Sequence, residues 1–280
     1  MNIRNPAAIL LLSLNLSAAE PVPTAIYTYR EIAGSALKAY VFMPPDAGMK
    51  QAAILLFHGG GWQAGDASWV FARANRFAAK GVVAIAIDYR LALKGLSPVE
   101  AVEDACAAFA WTRAHARELR IDPKKVAGYG VSAGGHLVAS AALLPMVGGR
   151  RVQPDSRPNA LLLYSPALNM ARDGFFVGLM RGHGDPGDYS PAEFVNRSLP
   201  PAMIIQGEKD TLVRAKDAED FCAKAKTARA RCELHVYPGV GHLLTRNLAS
   251  QEQDFDPDPV MVANAHALED SFLEALGYVK

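Results

Sequence analysis

The chain has 280 residues, half of them apolar and a fifth charged, with a formal net charge of +1. That is ordinary globular composition, and the length suits one large α/β domain or two small ones. With no basic run, composition gives no reason to expect a nucleic-acid partner or attraction to an anionic membrane.

The first residues, "MNIRNPAAILLLSLNLSAAEP", have Arg4, an apolar stretch from Ala7 to about Leu16, and then the small residues Ser17, Ala18 and Ala19. This is the layout of a secretory signal peptide over 1–19, with cleavage expected after Ala19 and a secreted or periplasmic destination. The apolar stretch is too short to span a bilayer. No cysteine follows the cleavage point, so no lipid anchor is expected on the mature chain. Residues 20–280 read as one domain.

Two alternating stretches, 25–32 and 36–44, predict a strand pair separated by "AGS". The segments 52–57 ("AAILLF") and 81–88 ("GVVAIAID") are nearly all apolar, as strands buried on both faces must be. A helix is expected between them, from Trp69 to Lys80. Another is expected over 97–120, where Ser97, Pro98 and Glu100 form a good helix start. A strand over 125–132 leads into a small-residue helix, 133–144. Strands follow at 159–168, 201–210 and 232–239, with a helix at 217–230 and a closing helix at 258–276. Such alternation predicts an α/β fold: a mostly parallel central sheet, helices on both faces, and right-handed crossovers. Residues 169–200 are long for a connection and contain two glycine-rich breaks, which reads as a lid-like insertion.

The chemistry-bearing residues sit at strand ends. Gly130-Val131-Ser132-Ala133-Gly134 is G-x-S-x-G between a predicted strand and a predicted helix. A serine on that sharp turn is exposed, and the N–H of Ala133 points toward the same place. A serine hydroxyl is a weak nucleophile unless a base takes its proton. In this arrangement an acid and then a histidine follow in chain order. Asp210 ends the strand "AMIIQGEKD", and His242 follows the last strand in "PGVGH". Of the seven histidines, His242 alone lies in a loop just after a late strand. His235 is inside that strand, His115 and His266 are on predicted helices, and His183 is in the insertion. Glu208, two residues before Asp210, is the rival acid.

After the third strand comes His58-Gly59-Gly60-Gly61-Trp62. Consecutive glycines are costly in a strand, so either a tight turn or the close approach of a reacting group requires them. Backbone N–H groups of Gly60 and Gly61, with that of Ala133, would form an oxyanion hole. His58 reads as an anchor for this loop. Trp62, Phe175, Phe176 and Leu179 are candidates to line a substrate pocket, with ordinary packing as the alternative for the last three. Asp254, Asp256 and Asp258 alternate as a calcium loop would begin, but Pro259 and Ala265 break that pattern, which reads as a turn into the last helix.

The motifs "HGGGW", "AGD", "IDYRLA", "GVSAGGH", "QGEKD" and "GVGH" occur in this order over about residues 36–245. Together they resemble the α/β-hydrolase superfamily, and within it the esterases that carry an HGGG oxyanion loop. The resemblance implies hydrolysis of carboxylic esters, small-molecule or glycan-linked, by Ser132, Asp210 and His242, with no cofactor or metal. Two features differ from hormone-sensitive-lipase-like members. Val131 stands where those usually have an acidic residue, and the segment available for N-terminal cap helices is short. The chain looks closer to lightly capped esterases related to bacterial feruloyl and acetylxylan esterases. A peptidase of the same fold, or a non-catalytic binding module that kept it, are the alternatives. The intact triad and oxyanion loop argue against the latter.

Export permits disulfides. Of Cys106, Cys222 and Cys232, the last two flank a helix-to-strand return that brings them within bonding range. Cys106 is then the free thiol. Three unpaired thiols are the other arrangement.

Overall fold

The computed structural model describes residues 20–279 except Ala33, Ala47 and Met49; the expected leader, 1–19, lies outside them. In chain order the strands and helices are β1 (Ala25–Ile32), β2 (Ser35–Phe42), β3 (Gln51–Phe57), α1 (Phe71–Ala79), β4 (Val83–Ile87), α2 (Pro98–Ala114), β5 (Ile121–Val131) and α3 (Ala133–Leu143). They continue with β6 (Met146–Val147), β7 (Arg150–Arg151), β8 (Ala160–Tyr164), α4 (Gly174–Met180), β9 (Ala202–Gly207), α5 (Ala215–Thr227), β10 (Cys232–Tyr237) and α6 (Pro259–Ala275).

Eight strands form one sheet in the order β1-β2-β4-β3-β5-β8-β9-β10. β2 runs antiparallel to β1 and β4, and every pairing from β4 to β10 is parallel. Successive side chains of a strand point to opposite faces. In β3, Leu55 and Phe57 therefore enter the core beneath α2, α3 and α5, with Val102, Phe109, Leu137 and Phe221. Ile54 and Leu56 enter the core beneath α1 and α6, with Phe77, Phe272 and Leu273. Burial on both faces is why this strand is apolar throughout. Because β3, β5, β9 and β10 are parallel, the loops after them open on one edge of the sheet.

Most expected elements form, with shifted ends. α2 starts as read: Ser97 and Glu100 make a reciprocal capping box with Pro98 in the first turn. It stops at Ala114 rather than 120 because the chain must turn back into the sheet. Arg120 takes a φ of 56°, Leu119 and Ile121 are buried, and Ile121 pairs with Gln51. β8 ends at Tyr164 rather than 168, since Ser165 adopts a φ of 45°. The small hairpin β6–β7 was not expected, although its turn is Gly148-Gly149, both at positive φ, as two-residue hairpins favour.

Two polar clusters lie within the apolar layers. Asp104 on α2 is fully buried and receives Arg90 Nε at 2.8 Å and Arg90 Nη2 at 3.0 Å, and it also pairs with Arg30. Glu269 on α6 is buried against Arg73 (2.7 Å) and Arg76 (2.6 Å) of α1. Neither carboxylate could stay there unpaired. α5 packs on β10, and Cys222 and Cys232 are disulfide-bonded with a Cα separation of 5.3 Å, leaving Cys106 free.

Candidate active site

β5 ends in a turn that only small residues allow. A Cβ on Gly130 would lie 2.3 Å from the Gly134 carbonyl oxygen, and one on Gly134 would lie 2.2 Å from that of Phe57. Between them Ser132 is held at φ 52°, ψ −117°, a conformation that costs about 1–3 kcal/mol. Three bonds over-determine it. The Ser132 N–H donates to the Tyr164 carbonyl (2.9 Å), and the Ser132 carbonyl accepts from the N–H groups of His136 and Ala167 (3.2 Å each). Its side chain makes no helix cap on α3, so the hydroxyl is free to point outward.

That hydroxyl meets His242. Ser132 Oγ lies 3.0 Å from His242 Nε2, and His242 Nδ1 lies 2.8 Å from Asp210 Oδ2. With the ring proton on Nδ1, the imidazole donates to Asp210 and accepts from the serine. The Asp210 side chain is fully buried. Its Oδ1 accepts from the N–H groups of Leu212 (3.0 Å) and Val213 (2.9 Å), and its Oδ2 accepts from Gln206 Nε2 (2.9 Å). These donors fix the carboxylate's orientation toward the His242 ring. Glu208 points elsewhere: its side chain is 46% exposed, takes the Gly239 N–H at 3.0 Å and pairs with Lys209. The hydrogen bond from Gly239 is the main reason its carboxyl sits below the ordinary value. Of the other histidines, His235 lies in β10 and His266 in α6, His115 caps the C-terminus of α2, and His183 faces Glu100 at 3.6 Å.

The glycine loop has mostly an internal reason for its composition. At Gly60 (φ 104°) a Cβ would fall 2.1 Å from the Ala64 carbonyl oxygen, within the turn closed by the Gln63 and Ala64 N–H groups on the Gly60 carbonyl. Gly59 packs directly against the nucleophile's position, where a Cβ would come 3.3 Å from Ser132 Cβ. The tight turn and the close approach thus both apply. Among the described residues, the N–H groups of Gly60, Gly61 and Ala133 donate no hydrogen bond to the protein. They are the donors the turn leaves available.

His58 is an anchor, as read. Its Nδ1–H donates to the Gly59 carbonyl (2.7 Å), its ring stacks on Tyr89, and burial lowers its pKa to about 4. Tyr89, in the "IDYRLA" motif, shows no role in the sequence alone. Its hydroxyl donates to the His58 carbonyl at 2.9 Å and lies 3.2 Å from that of Gly59, so it fastens the base of the glycine loop.

The four pocket candidates separate. Trp62 is buried, with its indole N–H donating to His136 Nδ1 at 3.2 Å and its ring against Phe176. Phe176 and Leu179 are also buried, and Phe176 completes the cluster with His136. His136 Nε2–H donates to the Tyr189 carbonyl (2.8 Å), and burial lowers its pKa to about 4. These three side chains are therefore core packing: the inner face of the 169–200 insertion is welded to the domain. Phe175 differs, being 55% exposed with its ring edge against Gly61. Phe255, missed in the sequence, stands beside the His242 ring at 6.1 Å between centroids. A cavity of about 120 Å³ lies between the start of the insertion and the loop after Asp210, lined by Ala167, Met170, Arg172, Asp173, Leu212 and Arg214 among others, and by none of Ser132, Asp210 or His242. The three aspartates after Gln253 have local tasks: Asp254 accepts from Asn247, Asp256 pairs with Arg246, and Asp258 caps α6.

Arranged this way, a serine, a neutral imidazole and a buried carboxylate can pass a proton from hydroxyl to ring while the carboxylate stabilises the charge formed. The comparisons with known proteins agree with that chemistry. Residues 54–175 match the α/β hydrolase fold family, and residues 183–280 match the dienelactone hydrolase family. Esterase LipC of Mycobacterium tuberculosis is 30% identical over 72% of this chain and 55% of its own length, and an arylesterase of Saccharolobus solfataricus is 31% identical over 57% and 58%. The chain thus spans little more than half the length of these curated relatives. A thermophilic esterase from Thermogutta terrifontis, Est2, superimposes with a TM-score of 0.80 at 30% identity, covering 91% of this chain and 93% of that one. Other structures of that enzyme are butyrate-bound or phosphonylated by sarin. With this fold and these relatives, the chain belongs to the α/β-hydrolase family of esterases and lipases.

Proposed function

We propose that this protein is an exported serine carboxylesterase. The observation that carries the reading is the pair of contacts at His242, 3.0 Å to Ser132 Oγ and 2.8 Å to Asp210 Oδ2. As Ser132 Oγ attacks the ester carbonyl, His242 Nε2 takes its proton, and the carbonyl oxygen becomes an anion. The N–H groups of Gly60, Gly61 and Ala133 receive that anion, and each such donor is worth roughly 3 kcal/mol of barrier. The tetrahedral intermediate collapses, the alcohol leaves with the proton from His242, and an acyl-serine remains. Water then adds to the acyl carbon, giving its proton to His242, and the acid departs as Oγ regains the proton. Asp210 stays ionised throughout, fixing the tautomer and stabilising the imidazolium.

The substrate class is small esters, free or carried on a glycan. The butyrate-bound structure of the Est2 relative favours short acyl groups. Export rests on the leader-like residues 1–19, and the Cys222–Cys232 bond suits an oxidising compartment. A panel of nitrophenyl acetate, butyrate, octanoate and feruloyl esters with peptide nitroanilides tests the activity. Turnover of short esters without turnover of anilides is expected; anilide cleavage without ester cleavage would overturn it. A mature N-terminus at Glu20 in an extracytoplasmic fraction tests export, and an intact leader retained in the cytoplasm would contradict it.

A further inference from the structure

Backbone groups from the acid loop and the base loop converge on one side chain outside the Ser132–His242–Asp210 set. Gln251 is 3% exposed. Its Oε1 accepts from the His242 N–H at 2.8 Å and from the Thr211 N–H at 3.3 Å. Its Nε2 donates to the Lys209 carbonyl at 2.9 Å and, at 3.5 Å, to that of Leu248. Lys209 and Thr211 are the chain neighbours of Asp210. One planar carboxamide therefore grips the backbone on both sides of the carboxylate and the backbone of the imidazole.

The His242 loop needs such a grip. Leu243 and Leu244 both lie in the left-handed region, at φ 55° and 60°, which is unfavourable for leucine unless the surroundings enforce it. Leu243 N–H donates to Ser165 Oγ (3.1 Å) and Gly241 N–H to the Thr245 carbonyl (2.8 Å), but neither bond reaches the Asp210 loop. A backbone bond from Lys209 N–H to the Val240 carbonyl (2.8 Å) joins the two loops before either functional residue is reached. Apart from the His242–Asp210 bond itself, Gln251 is, among the described residues, the side chain that bonds both the His242 backbone and the backbone on either side of Asp210. Gly241 makes room for it. Its φ of −98° suits any residue, yet a Cβ there would come 2.3 Å from Gln251 Oε1.

We propose that Gln251 is a positioning residue, whose carboxamide holds the His242 and Asp210 loops together so that His242 Nδ1–H meets Asp210 Oδ2. This rests on the reading of Ser132, Asp210 and His242 as the reacting groups. The test compares wild type, Gln251→Ala, Gln251→Met (similar length, without the amide), Gly241→Ala and the double change Gly241→Ala/Gln251→Ala. Two readouts are used: kcat and KM on nitrophenyl butyrate, and the NMR resonance of the His242 Nδ1 proton. Misplacing the imidazole should lower kcat by about 10–100-fold and leave KM within about 3-fold. The Nδ1 proton resonance should move or be lost to exchange. Gly241→Ala should act in the same direction and add little to Gln251→Ala, because the atom it displaces is already gone. Should Gln251→Ala or Gln251→Met fail to fold, Gly241→Ala, which keeps the glutamine, carries the test. A Gln251→Met or Gly241→Ala protein with kcat within about 2-fold of wild type and an unmoved Nδ1 proton would overturn the proposal. A Ser132→Ala control as active as wild type would overturn the site reading itself. A serine-dependent enzyme indifferent to Gln251 would overturn only the positioning role.

Discussion

Asp210 and His242, 32 residues apart in the chain, share a 2.8 Å hydrogen bond, while Glu208, two positions before Asp210, is turned outward onto the Gly239 N–H. Asp210→Asn should lower kcat by about 10⁴-fold, since the amide no longer enforces the tautomer that leaves Nε2 free to accept. Glu208→Gln should leave turnover near wild type. Steady-state kinetics with one nitrophenyl ester checks both. A larger loss from the Glu208 change would reverse the assignment.

The insertion over the site has two different faces. Phe176 is fully buried against Trp62 and His136, so Phe176→Ala should cost about 3–5 kcal/mol of stability. Phe175 is exposed beside Gly61, so Phe175→Ala should leave stability within about 0.5 kcal/mol and change KM across an acyl-length series. Urea melts and substrate profiles of the two variants decide this. The opposite pattern would make Phe175 the core residue.

Burial lowers the pKa of His58 and His136 to about 4 from an ordinary 6.5. Between those values the unfolded chain takes up protons that the native chain refuses, so stability must fall as pH drops from 6.5 toward 4. Each histidine contributes a slope of up to about 1.4 kcal/mol per pH unit. His136→Gln can still accept from Trp62 Nε1–H and donate to the Tyr189 carbonyl, without titrating. Its stability should therefore fall less steeply over that window in pH-dependent melts. Parallel slopes for both proteins would contradict the assignment.

The cysteine arrangement gives a mass prediction. Alkylated under denaturing, non-reducing conditions, the chain should carry one adduct, at Cys106; after reduction it should carry three. Native protein should react slowly even there, because burial pushes the Cys106 thiol up to about 12. The bond closes a short loop, with a separation of 10 residues. Its chain-entropy contribution is therefore roughly 2.5–3 kcal/mol. Three adducts without reduction would remove it.

Ser132, Asp210 and His242 were legible because each is a chemically distinctive residue at the end of an apolar strand, and a parallel sheet brings such ends to one edge. Their supports were not. Gln251 lies in the polar run "SQEQD", where nothing distinguishes the glutamine that turns inward from Gln253, which stays out. Tyr89 and Gln206 act through bonds to loop carbonyls and a carboxylate whose partners are fixed only by tertiary structure. Glu269 sits in "ALEDSF", which reads as a solvated helix face until Arg73 and Arg76 arrive from α1. The over-long reading of α2 has a similar cause. Residues 115–120 favour helix locally, but pairing Ile121 with Gln51 and burying Leu119 prevail. Trp62, Phe176 and Leu179 were recognised as apolar and near the site, yet sequence cannot say whether an apolar side chain faces a pocket or another side chain.

The proposed activity turns on Ser132 as the group that reacts. The most direct measurement is covalent labelling of the native protein by a fluorophosphonate, followed by peptide mapping, with Ser132→Ala assayed beside it. One label per chain is expected, on Ser132, with a loss of roughly four to six orders of magnitude in turnover for a Ser132→Ala protein that folds normally. Labelling at another residue, or substantial esterase turnover in that variant, would contradict it.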